Sequence, residues 1–166
     1  MDRSTKLATF LSYVLSPTSF AFYIIFIFLL FPSVGNEKNV FVSLVLSIIF
    51  LCIFPVLTIF YFKHKGTVDI WVSNQKQRTP FYIMAIIGYI LATIIFYLRN
   101  ETALFVLSIA YTGVTVAVTI GNFSTKISSH SAGVAGPLTA LTFVYGLSVL
   151  PSFLMLSLVF WSRLKL

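Results

Sequence analysis

The chain has 166 residues, of which 58% are hydrophobic and only 9% are charged, and its formal net charge is +7. An ordinary soluble domain carries about 25% charged residues, so this chain has too few charges to cover a water-facing surface. Disorder is excluded too, because 18 Phe, 8 Tyr and 2 Trp residues present far more apolar area than a disordered chain exposes. The composition predicts a polytopic membrane protein and excludes a soluble nucleic-acid-binding protein.

Apolar runs predict one integral-membrane domain over residues 1–166, built as an all-α bundle of transmembrane helices. A span needs about 20 mostly apolar residues. Four runs of this kind are separated by polar corners, at 14–34, 40–62, 80–98 and 102–122. Pro55 predicts a kink inside the second run, and Pro80 suits the start of a helix.

Small residues are concentrated in the second half of the chain and favour close helix packing there. They are Gly113, Gly121, Ala132, Gly133, Ala135, Gly136 and Ala140. We therefore expect this half to form the interior of the bundle. The Phe-rich first run is expected to lie at the lipid-facing periphery.

The last apolar stretch, 132–161, is longer than one crossing requires. Its thirty residues would form a straight helix of about 45 Å, against about 30 Å of hydrocarbon. Gly146 and Pro151 interrupt the stretch, and composition leaves two arrangements open. One is a single long, tilted and kinked helix; the other is a hairpin of two short helices that turns between Gly146 and Pro151. The bundle accordingly has five to six helical segments.

Polar residues next to two of these spans are candidates for an anion site rather than for interfacial anchors alone. Arg78 lies directly before Thr79-Pro80, where its guanidinium can turn toward a pocket beside the positive end of a helix. The segment from Lys126 to Gly136 combines a cation, hydroxyl groups and His130 at a helix start, an arrangement suited to phosphate. The C-terminal segment Trp161–Leu166 taken alone indicates only an interfacial anchor.

Metal chemistry is not predicted. His64, His130 and Cys52 are too few and too scattered to form a zinc site, and no cofactor is indicated. A serine–histidine–aspartate set drawn from Ser129, His130 and Asp69 has little specificity.

In combination, these segments resemble the type-2 phosphatidic-acid phosphatase and haloperoxidase superfamily, over residues 69–166. The Gln77-Arg78-Thr79-Pro80 segment is similar to the first signature, Lys-x6-Arg-Pro, although Trp71 stands where that signature has its lysine. The segment Lys126-Ile127-Ser128-Ser129-His130-Ser131-Ala132-Gly133 is similar to the short Lys-x-Ser-x-His-x-x-Gly form of the second signature. Ser162-Arg163 is similar to the start of the third, Ser-Arg-x5-His-x3-Asp.

The resemblance implies roles for individual side chains. Arg78, Lys126 and Arg163, with Ser129, would hold the phosphoryl oxygens and offset charge in the transition state. His130 would act as the general acid that protonates the leaving alkoxide. The nucleophile would be a second histidine six residues after Arg163, and the sequence ends at Leu166. The expectation is either a fragment that has lost its final helix, which we favour, or a complete non-catalytic relative.

The resemblance also bears on the last apolar stretch, because it places the second and third motifs on one membrane face. A single helix from 132 to 161 would separate His130 from Arg163 by about 45 Å, so the hairpin is favoured. Nine of the 11 cations then fall on the motif face, and only Lys38 and Arg99 fall on the other. This bias predicts that the N-terminus and the motif face are cytoplasmic, and the expected location is the plasma membrane.

The leading functional hypothesis is a membrane-embedded, metal-independent phosphatase-like protein that acts on a lipid or isoprenoid phosphate through a phospho-histidine, with its nucleophile missing from this chain. The alternative is a non-catalytic membrane protein that binds anionic lipid or serves as a structural subunit. A transporter ranks third, since Gly113–Gly121 is the only candidate for an unwound segment. The expected partners are membrane lipids and the lipid phosphate substrate, and no nucleic acid.

Overall fold

The structure is a computed structural model that describes residues 2–31, 39–66, 74–125 and 127–166. Every regular element within these ranges is helical, as the composition predicts. The α-helices are α1 (Arg3–Val14), α2 (Pro17–Leu30), α3 (Val40–Ser47), α4 (Phe54–His64), α5 (Thr79–Arg99), α6 (Thr102–Asn122), α7 (Ser129–Tyr145) and α8 (Leu154–Lys165).

Four helical runs are long and apolar enough to cross a membrane: Val40–His64, Gln75–Arg99, Thr102–Asn122 and Ser129–Lys165. Helices α1 and α2 form a fifth candidate if the bent pair is taken as one span. The prediction of an all-α transmembrane bundle is therefore confirmed, and the boundaries of α5 and α6 lie within one residue of the predicted runs.

The first predicted span, 14–34, does not begin where the sequence suggested. Helix α1 already starts at Arg3, and the chain bends by 52° between α1 and α2. The bend follows from the local sequence, because the Ser16 hydroxyl accepts a hydrogen bond from the Ser19 N–H at 3.3 Å. Pro17 then occupies the first position of α2, where its missing N–H costs nothing. Residues 32–34 lie outside the described residues.

The expectation that the Phe-rich run faces lipid is wrong. Helix α2 is part of the core, with Phe20, Ala21, Ile24, Ile25, Phe28 and Leu29 all buried. The error has a clear cause, since lipid-facing and protein-facing positions are equally apolar in a membrane bundle and composition cannot separate them.

Pro55 disturbs its helix, as predicted, but the result is a change of helix type. The segment Ile48–Ile53 between α3 and α4 is a π-helix. A proline has no N–H to donate to the carbonyl of residue 51, and its ring clashes with that carbonyl in a regular α-helix. Widening the preceding turns relieves this conflict.

A buried polar cluster closes the corner between α5 and α6. Asn100 adopts a left-handed conformation at φ 58°, which asparagine tolerates at a helix end. The corner brings the Arg99 Nε to 2.6 Å from Glu101 Oε1, and the Ser43 hydroxyl donates to the same oxygen at 2.8 Å. Glu101 is only 1% exposed, so this cluster fastens α3 to the α5–α6 corner.

The last apolar stretch forms a hairpin. A straight helix over the 37 residues Ser129–Lys165 would be about 55 Å long, yet α8 packs against both α7 and α1. The turn is made by a 3₁₀ segment, Gly146–Phe153, which begins at a left-handed glycine with φ 72°. The hairpin alternative is thus confirmed, with its turn at the predicted residues.

Two of the predicted packing glycines lie at close helix contacts. A Cβ on Gly133 would stand 2.5 Å from the Cβ of Pro17, and one on Gly136 would stand 3.1 Å from Val114 Cγ2. Gly113 does not fit this expectation, because a Cβ there meets nothing within 4 Å. Helix α6 also continues unbroken through 113–121, so the unwound segment expected there for a transporter is not found.

A matched pair of glycine substitutions tests the packing between α2 and α7. Gly133→Ala forces the ring of Pro17 and its backbone away, and overpacking of this kind costs about 1–3 kcal/mol. We expect a lower melting temperature of the purified protein in detergent, measured by intrinsic fluorescence. Gly113→Ala makes the same chemical change in open space and should leave the melting temperature unchanged or slightly higher. Equal effects of the two substitutions would contradict the close contact.

Candidate functional site

Arg78 is positioned by a pair of amides on neighbouring elements. Gln75, in the short 3₁₀ turn before α5, donates from Nε2 to the carbonyl of Asn122 at 2.6 Å. Asn122 returns a hydrogen bond from Nδ2 to the carbonyl of Gln75 at 3.1 Å. This reciprocal pairing joins the start of α5 to the end of α6, so Arg78 enters α5 at a fixed position. Its Nη1 donates to the Ile127 carbonyl at 3.1 Å.

The start of α7 carries the predicted serine and histidine residues. Ser128 caps the helix, and its Oγ accepts from the N–H of Ser131 at 3.4 Å. The hydroxyl groups of Ser129 and Tyr82 share a hydrogen bond with 2.7 Å between the oxygens. His130 is half-buried, with its Nε2 atom shielded from solvent. The first turn of α7 therefore presents hydroxyl, imidazole and backbone N–H groups at one place.

Arg163 reaches the same region from the other end of the hairpin. It lies in the last turn of α8, and its Nη1 donates to the hydroxyl of Ser12 at 3.1 Å. Ser12 is 3% exposed, so α1 provides a buried hydroxyl that orients the guanidinium. Arg78 and Arg163 both act electrostatically on the His130 imidazole, which places the three basic groups near one another.

These groups line one cavity of about 680 Å³, within the size range of small-molecule sites. Of the predicted site residues, the structure brings together Arg78, Ser129, His130 and Arg163, and all four line this cavity. No aspartate or glutamate occurs among the described residues of the lining. The lining is therefore basic at this end, and a basic cavity favours an anionic ligand.

Three helix N-termini contribute to the cavity as well. Residues of the first turns of α2, α5 and α7 lie on its wall, namely Pro17, Phe81 and Ser129. The helix dipole favours negative charge at such ends. The starts of α5 and α7 lie next to Arg78 and His130, and together with the arginines they make the basic end suited to an oxyanion.

The rest of the cavity is mostly apolar. Helix α4 contributes one face at helical spacing, Pro55, Val56, Ile59 and Phe60, and the opposite wall comes from Ala85, Val114 and Val118. A cavity with a basic end and an apolar body matches an amphiphile with an anionic head group.

Several other residues singled out in the sequence do not belong to this cavity as the structure describes it. Lys126, like Asp69 and Trp71, lies outside the described residues. His64 is exposed at the end of α4 and does not line the cavity. In the described part of the chain, no group of three His, Cys, Asp or Glu side chains could hold a metal ion.

Sequence reasoning missed the residues that hold the site together. The Gln75–Asn122 pairing joins positions far apart in the chain, and no local pattern indicates it. No local pattern indicates Ser12 as the hydrogen-bond acceptor for Arg163 either. Tyr82 had a detectable signal, since it stands four residues after Arg78 and so shares its face of α5.

Comparisons of the chain with protein-family models, with curated proteins and with solved structures found no match.

Proposed function

We propose that this membrane protein binds the phosphate head group of a lipid or isoprenoid in the basic end of its cavity, with the apolar chain in the body. The observation that carries the proposal is the meeting of Arg78, His130 and Arg163 in one cavity, although they come from α5, α7 and α8. Guanidinium groups bind phosphate oxygens in bidentate geometry. The hydroxyl groups of Tyr82 and Ser129 and the α7 N-terminus add neutral donors.

Hydrolysis of the bound phosphate ester is the second candidate function, and the position of His130 favours it. A bound phosphate dianion beside the His130 imidazole favours its protonated form, and that imidazolium can donate a proton to the departing alkoxide. The guanidinium groups then offset charge on the phosphoryl oxygens as the bond breaks. Attack on phosphorus through a phospho-histidine, as the family resemblance implies, requires a second histidine, and no other described histidine lines the cavity. The step that these residues can carry is direct hydrolysis, in which a water oxygen bonds to phosphorus, the bond from phosphorus to the alkoxide oxygen breaks, and the attacking water loses its proton to bulk water while His130 protonates the alkoxide. Binding is therefore the better supported of the two functions.

Head-group binding is tested by removing the guanidinium groups one at a time. Arg78→Ala and Arg163→Ala should each weaken binding of farnesyl phosphate or short-chain phosphatidate about tenfold or more, because each removes charge-assisted hydrogen bonds. Affinity is measured by ligand-induced stabilisation of the detergent-purified protein. Lys165→Ala is the matched control, since Lys165 is an exposed cation of the same helix as Arg163. If all three substitutions weaken binding equally, only diffuse electrostatic attraction is involved.

The catalytic candidate is tested at His130. His130→Asn keeps the size and polarity of the side chain but removes the titrating group, so phosphate release from farnesyl phosphate should fall by about 100-fold or more. Binding of the same ligand should change little. His64→Asn is the control, because that imidazole lies away from the cavity. Unchanged phosphate release in His130→Asn would contradict the role of general acid.

We propose that the cavity's basic end faces the cytoplasm, because the excess of cations on that side favours this orientation, and that the protein lies in the plasma membrane. Cys52 is the one cysteine of the sequence, so Cys52→Ser gives a background without thiols. His64→Cys then places a thiol at an exposed position at the end of α4. We expect a membrane-impermeant maleimide to label it only after the cells are permeabilised. Labelling of intact cells would reverse the proposed orientation.

A further inference from the structure

Two tyrosines close the inner end of the cavity. Tyr89 of α5 and Tyr111 of α6 are 7% and 2% exposed, and their ring centroids are 5.1 Å apart. Both line the cavity. No described residue farther along α5 than Tyr89, or nearer the start of α6 than Tyr111, belongs to the lining. The aromatic pair is therefore the floor of the cavity.

The depth of this floor can be obtained from two helices independently. On α5, Tyr89 lies 11 residues after Arg78, and on α6, Tyr111 lies 11 residues before Asn122. At 1.5 Å per residue each interval corresponds to about 16 Å. The two helices run in opposite directions, and their ends are joined by the Gln75–Asn122 pairing, so both intervals measure the same depth.

The floor is held in place by contacts with other helices. The Tyr111 hydroxyl donates to the Pro17 carbonyl at 3.3 Å, at the start of α2. Pro17 is itself packed against Gly133 of α7. The ring of Tyr111 consequently bridges α6 and α2, and it cannot swing aside without breaking a hydrogen bond inside the bundle.

We infer that Tyr89 and Tyr111 limit the length of the apolar chain that the cavity accepts, so that they determine which phosphate-bearing amphiphiles bind. This inference depends on the head-group site proposed above. An isoprene unit adds four backbone carbons, about 5 Å in extended form by ordinary C–C geometry. Three units match this interval along the helix axes, measured between Cα positions. The ligand is then a phosphate on a single chain of farnesyl length, and one further unit meets the aromatic floor.

In a competing geometry, the apolar chain of the ligand leaves the cavity sideways instead of extending toward the two tyrosines. Tyr13 and Phe60 line the same cavity and are 57% and 52% exposed, so they form a rim open to lipid. A longer chain that leaves the cavity between these two side chains never reaches the floor. Chain length would then have no effect on affinity, and the experiment separates the two geometries on this point.

The test compares geranyl, farnesyl and geranylgeranyl monophosphates as competing ligands of the detergent-purified protein. The unmodified protein should prefer farnesyl over geranylgeranyl phosphate about tenfold, the scale of discrimination that apolar pockets reach for small changes of size. Tyr111→Ala and Tyr89→Ala should abolish or reverse this preference, because each opens the floor. Tyr111→Phe keeps the ring and should keep the preference.

A second variant shortens the cavity instead of lengthening it, and it leaves both tyrosines in place. Ala85 lines the cavity one turn of α5 closer to Arg78 than Tyr89 is. Ala85→Phe places a ring there and shortens the cavity by about 6 Å, so the preference should shift to geranyl phosphate. Inorganic phosphate serves as a head-group probe in every variant, and its retained binding shows that the basic end is intact.

The outcomes separate the two proposals. If phosphate competes but all three chain lengths bind equally in every variant, the length limit is wrong and the head-group site stands. If neither phosphate nor any prenyl phosphate binds the unmodified protein, the head-group site is wrong, and the length limit is wrong with it. Opposite shifts in Ala85→Phe and Tyr111→Ala would support the aromatic floor.

Discussion

The thickness of the bilayer governs where the site is formed. The helical run from Ser129 to Lys165 is too long for one crossing, and it turns back at Gly146. That return brings the last turn of α8 to the first turn of α7, and it lays α8 against α1. Arg163 reaches the cavity of His130 through this return, and Ser12 of α1 then orients the guanidinium. A straight helix would have separated these groups by the full width of the membrane.

The cavity occurs where the helices depart from regular geometry. Residues 15 and 16 break the run between α1 and α2, and a π-helix separates α3 from α4 ahead of Pro55. Irregular backbone within a membrane has to find its hydrogen bonds inside the protein. At the first break the Ser16 hydroxyl caps α2, and Pro17 at the start of α2 lies on the cavity wall. A bundle of uninterrupted helices would have left neither the space nor the positive helix ends.

Much of this arrangement could be predicted from local patterns. Apolar run lengths gave the spans, and the boundaries of α5 and α6 followed from Pro80 and from the corner at Asn100. The hairpin and the grouping of Arg78, His130 and Arg163 needed the additional premise that the motifs share one face. Two features of the structure could not be predicted from the sequence. Burial of α2 could not be predicted from composition, because phenylalanine side chains pack equally well against lipid and against protein. The Gln75–Asn122 and Arg163–Ser12 contacts depend on tertiary placement that no short segment encodes.

The cluster of Arg99, Glu101 and Ser43 lies at the opposite end of α5 from the cavity's basic end. Because of it, the span formed by α3 and α4 is held differently at its two ends. At that end, α3 is tied to the α5–α6 corner through a buried carboxylate. Toward the cavity, α4 contains no buried residue and packs mainly on α5. The span that contains the π-helix is thus held by a buried hydrogen-bonded cluster at one end and only by partly exposed side chains at the other. Helix α4 is therefore a less buried wall of the cavity than α5, α6 or α7.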